Sequence, residues 1–216
     1  METKTNFENT IQEVVAVIDR SGSMQGKESD TIGGINATID ELKKNKEINT
    51  TINFSVKFFD HEEYLLLREK NIDHVNPLQI SDLKPRGQTA LFDAMGTTLT
   101  HFLTRKITRP TSFNSCIIYI ATDGLENASK RFNASDIKNL ISEAKKHNIE
   151  LLYLAANQDA ILEAEKFGLN AGQAINYSET PENVEAVYRS AASAALRGLS
   201  GIPVDFLPAE RNASQM

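Results

Sequence analysis

Val14-Val15-Ala16-Val17-Ile18-Asp19-Arg20-Ser21-Gly22-Ser23 runs five apolar residues straight into a polar turn. An unbroken apolar run of this length, closed by turn residues, reads as a strand covered on both faces. Comparable runs recur at Cys116 to Ala121 and Leu151 to Ala156. Ile52, Phe54, Val56 and Phe58 alternate instead with polar residues, and Asp60-His61-Glu62 separates them from Tyr64 to Leu67, which predicts a hairpin with one antiparallel edge strand.

Helical spacing fills the intervals. Ile32, Ile35, Ile39 and Leu42 share one face, with Asp30 as the expected N-cap. Leu91, Met95, Leu99 and Phe102 form a second stripe, and Ile137, Leu140, Ile141 and Ala144 a third. Thr180-Pro181 places a capping hydroxyl before a first-turn proline, predicting a last helix to about Arg197. Strand and helix alternating in this way predict an α/β fold, a doubly wound, mainly parallel sheet with helices on both faces. The expected division is an N-terminal extension over 1–9, one domain over 10–197 and a C-terminal tail over 198–216.

Composition narrows the function. The chain has 216 residues, a formal charge of −6 and no Lys/Arg run longer than a pair, so it offers little to a phosphate backbone and nucleic acid is not the expected partner. No apolar run approaches the roughly 18 residues that span a bilayer, and residues 1–10 lack a basic-then-apolar export pattern. A cytoplasmic protein without a membrane anchor is expected. Cys116, the only cysteine, sits inside an apolar run and reads as a buried structural thiol.

In doubly wound sheets ligands gather at the carboxyl ends of the strands. Asp19 and Asp123 each close an apolar strand there, and the turn after Asp19 adds Ser21 and Ser23 at spacing i, i+2, i+4. Thr89 in Gly87-Gln88-Thr89 precedes the second helix and is a further hydroxyl candidate. Hard oxygen donors with few carboxylates suit Mg²⁺, with Mn²⁺ or Ca²⁺ as alternatives. Arg20, between two of these positions, either faces solvent or meets an acidic partner. Asp60 and Asp93 are additional carboxylates for which structural roles are expected, and the four histidines show no metal-ligand spacing.

With these motifs in order, the sequence resembles the von Willebrand factor A domain family over about residues 10 to 197. Asp19-x-Ser21-x-Ser23 matches its first motif, Thr89 the second and Asp123 the third, a full set for a metal-ion-dependent adhesion site. Asp30 to Gly34 and Thr122 to Asn127 look like intracellular microbial and phage members. The resemblance implies a Rossmann-like sheet, with Ser21, Ser23 and Thr89 as hydroxyl ligands and Asp19 and Asp123 acting largely through water. It also implies a protein partner that presents Asp or Glu to the metal, and no catalysis.

Two other readings belong beside that one. In the first, the metal is structural and another face serves as a scaffold. In the second, Asp19 is the nucleophile of a haloacid-dehalogenase-like phosphatase, but that chemistry needs an acid two residues on, where Ser21 stands. Nucleotide-binding loops of the Gly-x-x-x-x-Gly-Lys and Gly-x-Gly-x-x-Gly kinds are missing after the first strand.

Overall fold

β1 (Thr10–Asp19) lies inside a sheet of six strands, parallel to β2 (Thr50–Phe59) on one side and to β4 (Ser115–Thr122) on the other. The sheet order is β3-β2-β1-β4-β5-β6, where β3 is Glu63–Asn71, β5 Ile149–Ala156 and β6 Ala174–Tyr177. Only the β2–β3 pairing is antiparallel among these, which gives the single edge hairpin expected from the alternating pattern. The computed structural model describes residues 9–156, 159–199 and 202–215. The expected N-terminal extension therefore lies, except for Asn9, outside the described residues.

Side chains of β1 alternate between two apolar cores, which is why its whole run is hydrophobic. Val14, Ala16 and Ile18 belong to the core beneath α1 (Glu28–Asn45) and α5 (Pro181–Leu199), with Ile35, Leu42, Val187 and Tyr188. Val15 and Val17 join the opposite core with Leu99 of α2 (Leu91–Thr108), Ile141 of α3 (Ala134–Lys145) and Ala164 of α4 (Ala160–Lys166). Cys116 is buried in this second core, and burial pushes its thiol well above the ordinary value, as suits an inert structural cysteine. No helix among the described residues is long and apolar enough to cross a membrane.

Three local expectations meet a different outcome or a fuller one. Asp30 is not the N-cap of α1: the chain turns at Gly26 (φ +88°), so the helix begins at Glu28 and Asp30 sits in its first turn, where a carboxylate complements the helix dipole. Thr180 does cap α5, its Oγ1 accepting the Asn183 N–H at 3.2 Å. The segment expected as a tail packs against the domain instead. Val204 and Phe206 enter the α1/α5 core, α6 (Pro208–Ala213) follows, and the Arg197 guanidinium forms an ion pair with Glu210 at 2.8 Å.

Candidate functional site

The β1–β4 neighbourhood is where the sheet's winding reverses, since the chain proceeds from β1 toward β2 and β3 on one side and later from β4 toward β5 and β6 on the other. A crevice for ligands forms at the carboxyl ends of strands at such a reversal. In register, Ile18 lies beside Ala121, which brings Asp19 next to Thr122 and Asp123 just beyond it.

Asp19 is fully buried and both of its carboxylate oxygens are engaged. Oδ1 accepts the Ser21 N–H at 2.6 Å and Oδ2 accepts the Thr122 hydroxyl at 2.6 Å. Burial raises the Asp19 carboxyl above its ordinary value, against these hydrogen bonds, and the nearby Asp123 charge adds to the rise. From Asp19 the polar chain continues outward: Ser21 Oγ lies 3.0 Å from Ser23 Oγ, and Ser23 Oγ donates to Asp123 Oδ1 at 2.6 Å. Thr89 reaches the same place from the other side. A Cβ placed on Gly124 would stand 3.4 Å from Thr89 Oγ1 and 3.8 Å from Ser23 Oγ, so the absence of a side chain at 124 keeps both hydroxyls open to one shared space. The structure thus brings Asp19, Ser21, Ser23, Thr89 and Asp123 to one sheet edge.

Backbone bonds fix the three loops to one another. The Gly22 N–H donates to the Gly87 carbonyl at 3.1 Å and the Arg86 N–H to the Arg20 carbonyl at 2.8 Å. Thr89 is clamped by Asn127, whose Oδ1 accepts the Thr89 N–H at 2.9 Å while its own N–H donates to the Thr89 carbonyl at 3.0 Å. Gly87 has φ +70°, and a Cβ there would meet the His61 ring at 2.2 Å. Gly87→Ala is therefore expected to cost about 1–2 kcal/mol from the left-handed backbone alone, with a further loss from the ring. Urea unfolding of Gly87→Ala and of Gly87→Ala/His61→Ala should recover only the ring part in the double variant.

The remaining candidates resolve into structural roles. Arg20 turns inward rather than to solvent, its Nε 3.0 Å from the buried Asp60 carboxylate and its guanidinium over the Tyr64 ring. Asp60 also pairs with Arg86 at 2.9 Å and accepts the Glu62 N–H at 2.6 Å, so it organises the hairpin loop. Asp60, His61 and Glu62 crowd together, but Arg20 and Arg86 already supply the positive charge there. Asp93 accepts the N–H groups of Lys130, Arg131 and Phe132. Burial would raise its carboxyl, but these bonds and Arg131 outweigh it and hold the group below the ordinary range.

Sequence reading missed Lys27, Thr122, Asn127 and Glu179. The Lys27 ammonium donates to Asp123 Oδ2 at 2.5 Å and also pairs with Glu179. A cation is thus already seated against one of the predicted metal carboxylates, showing that the place accepts positive charge. The three hydroxyls and two carboxylates match the donor chemistry of a hard divalent ion, so the residues fit the group.

Solved structures sharing this fold include proximal thread matrix protein 1 from the mussel byssus, which is 15% identical with a TM-score of 0.57 over 87% of this chain. The match covers 46% of the mussel chain, so the present chain spans less than half of that protein. The same mussel protein is known with zinc in its metal-ion-dependent adhesion site motif. The von Willebrand factor domain of the type V pilus tip protein Mfa5 from Porphyromonas gingivalis is 13% identical with a TM-score of 0.63, over 88% of this chain and 97% of that one. No curated protein matches the chain in sequence. The von Willebrand factor type A domain pattern itself matches residues 13–190, most of the chain. With that match and the six-stranded sheet, the chain belongs to the von Willebrand factor type A domain family.

Proposed function

We propose that this protein is a metal-dependent protein-binding module that holds Mg²⁺ at Asp19, Ser21, Ser23, Thr89 and Asp123 and engages an Asp or Glu side chain of a partner protein, without chemistry. The observation that carries this reading is the division of labour in the site. The Ser23 hydroxyl and Thr89 Oγ1 converge on the space beside Gly124, with Ser21 Oγ 3.0 Å behind Ser23 Oγ, while Asp19 is buried with both oxygens hydrogen-bonded.

When bound, an ion touched mainly by neutral hydroxyls keeps much of its charge and supplies a Lewis-acidic seat for an external carboxylate. Ser21 and Ser23 then present oxygens at a spacing set by their shared hydrogen bond, Thr89 is fixed by the Asn127 clamp, and the Gly22–Gly87 backbone bond ties its loop to the serine turn. Asp19 fixes the turn by accepting the Ser21 N–H. Mg²⁺ suits the small number of carboxylates, with Mn²⁺ next and Ca²⁺ after them. We extend the reading to an adaptor working in the cytoplasm, in keeping with the acidic composition and the buried thiol of Cys116.

The test is capture of host proteins on the immobilised chain in Mg²⁺, in chelator, and with Thr89→Ala in Mg²⁺. Partners held in Mg²⁺ alone, released by chelator and absent from Thr89→Ala support the reading. Equal capture in all three conditions removes the metal from the mechanism.

A further inference from the structure

Asp123 has both carboxylate oxygens spoken for: Ser23 Oγ donates to Oδ1 at 2.6 Å and the Lys27 ammonium to Oδ2 at 2.5 Å. Its side chain is only 3% exposed, so this contact is poorly screened by solvent. The same ammonium pairs with Glu179, in the connection between β6 and α5. Lys27 therefore bridges two carboxylates from separate loops, one after β4 and one after β6, and nothing else in the site supplies a formal positive charge to Asp123 among the hydrogen bonds and ion pairs described. A divalent ion held by Ser21, Ser23 and Thr89 would face that ammonium across the same carboxylate. Two cations sharing one poorly solvated anion repel, so the ammonium opposes entry of the ion and is favoured to move aside when it binds. It has somewhere to go. A cavity of about 160 Å³ opens beside it, lined by Lys27, Asp30, Asp123 and Glu179 among others, so the side chain can release Asp123 and keep Glu179.

We propose that Lys27 is a built-in competitor of the metal: it neutralises Asp123 while the metal seat is empty, sets the ion concentration at which the site loads, and is drawn aside by Glu179 when it does. This rests on the metal-binding reading above and adds to it a positioning pair, Lys27 and Glu179. The pair makes the empty site stable and the loaded site conditional. It also gives the β6–α5 connection a part in loading, since Glu179 is the anion that receives the displaced charge.

The experiment is calorimetric titration of the full chain with MgCl₂, comparing wild type, Lys27→Met, Lys27→Arg, Glu179→Gln and Lys27→Met/Glu179→Gln. Thermal melts of each in EDTA and in Mg²⁺ accompany it. Removing the competing charge should tighten Mg²⁺ binding by about tenfold in Lys27→Met. Lys27→Arg should keep the wild-type affinity or weaken it. Glu179→Gln should weaken binding severalfold when Lys27 is present and much less when it is not, a coupling read from the double-variant cycle. In EDTA, Lys27→Met should melt below wild type because Asp123 and Glu179 lose their shared cation, and Mg²⁺ should raise its melting temperature by more than it raises the wild type's. Affinity unchanged or weaker in Lys27→Met, or a Glu179→Gln effect of equal size in both backgrounds, overturns the proposal and leaves the metal reading intact. A lack of Mg²⁺ binding by every variant overturns both.

Discussion

Asp19→Asn is expected to lower Mg²⁺ affinity by about 10- to 100-fold while leaving the metal-free fold as stable as wild type or more so. The asymmetry follows from what the two oxygens of Asp19 touch. One accepts the Ser21 N–H, and an amide oxygen can do the same. The other accepts the Thr122 hydroxyl, which can turn to accept from the amide NH₂ because the same Oγ1 also lies 3.1 Å from the Gly124 carbonyl and the Gly124 N–H. What is lost is the charge. In the metal-free protein that charge is a burden, because burial raises the Asp19 carboxyl above its ordinary value. A carboxyl raised in the folded state favours folding at pH below its unfolded value, and that contribution is lost as pH rises through the raised value. At neutral pH the buried anion thus opposes folding unless a cation compensates it, and asparagine removes the penalty. Melts in EDTA should show Asp19→Asn at or above wild type. Melts in Mg²⁺ should show wild type gaining stability and the variant gaining almost none. An asparagine variant that titrates with Mg²⁺ like wild type would remove Asp19 from the site.

Tyr188→Ala should cost about 3–5 kcal/mol, lowering the melting temperature by roughly 10 °C for a domain of this size. The Tyr188 ring is buried where α1 and α5 meet, edge-on to Tyr119 at 5.9 Å. It also fills the space above Gly34, where a Cβ would come within 2.7 Å of the ring. The two positions are therefore coupled, and the coupling has a sign that can be read. In the wild type, Gly34→Ala forces the methyl into a ring that cannot retreat, and should destabilise. In a Tyr188→Ala background the space is vacant, and the same substitution should stabilise by up to about 1 kcal/mol through helix propensity. Chemical unfolding of the four variants gives both numbers. A Gly34→Ala effect of one sign in both backgrounds would show that the ring does not set the helix spacing.

The sheet was legible because β1, β4 and β5 are buried on both faces and so carry unbroken apolar runs, and because β1 and β4 run into Asp19 and Asp123 at the edge where such sheets bind ligands. Asp19, Ser21, Ser23, Thr89 and Asp123 could be named for that reason, and the structure brings them together. β6 was not legible: Ala174–Tyr177 is four residues long with an asparagine inside it, too short for periodicity to register. Val204 and Phe206 escaped for a related reason. The stretch Ile202-Pro203-Val204-Asp205-Phe206-Leu207-Pro208 is too short and too broken by proline to show a period, yet Val204 and Phe206 seat in the core. The start of α1 was misplaced because Asp30 has the chemistry of a cap, while the turn that begins the helix is made by the backbone at Gly26. The Lys27–Glu179 pair joins residues 152 positions apart, and only the folded sheet edge gives that spacing a meaning.

The hydrogen bond from the Gly22 amide to the Gly87 carbonyl has a consequence for anyone who wishes to transplant this site. Residues 19 to 23 look portable, a five-residue cassette to be grafted onto the end of another parallel strand. Yet the cassette takes its curvature from a carbonyl that arrives from a different crossover, and that crossover in turn leans on the hairpin through Ala90 and the Asp60 carbonyl. A recipient scaffold that lacked a matching loop at that height would inherit the letters of the motif without its shape.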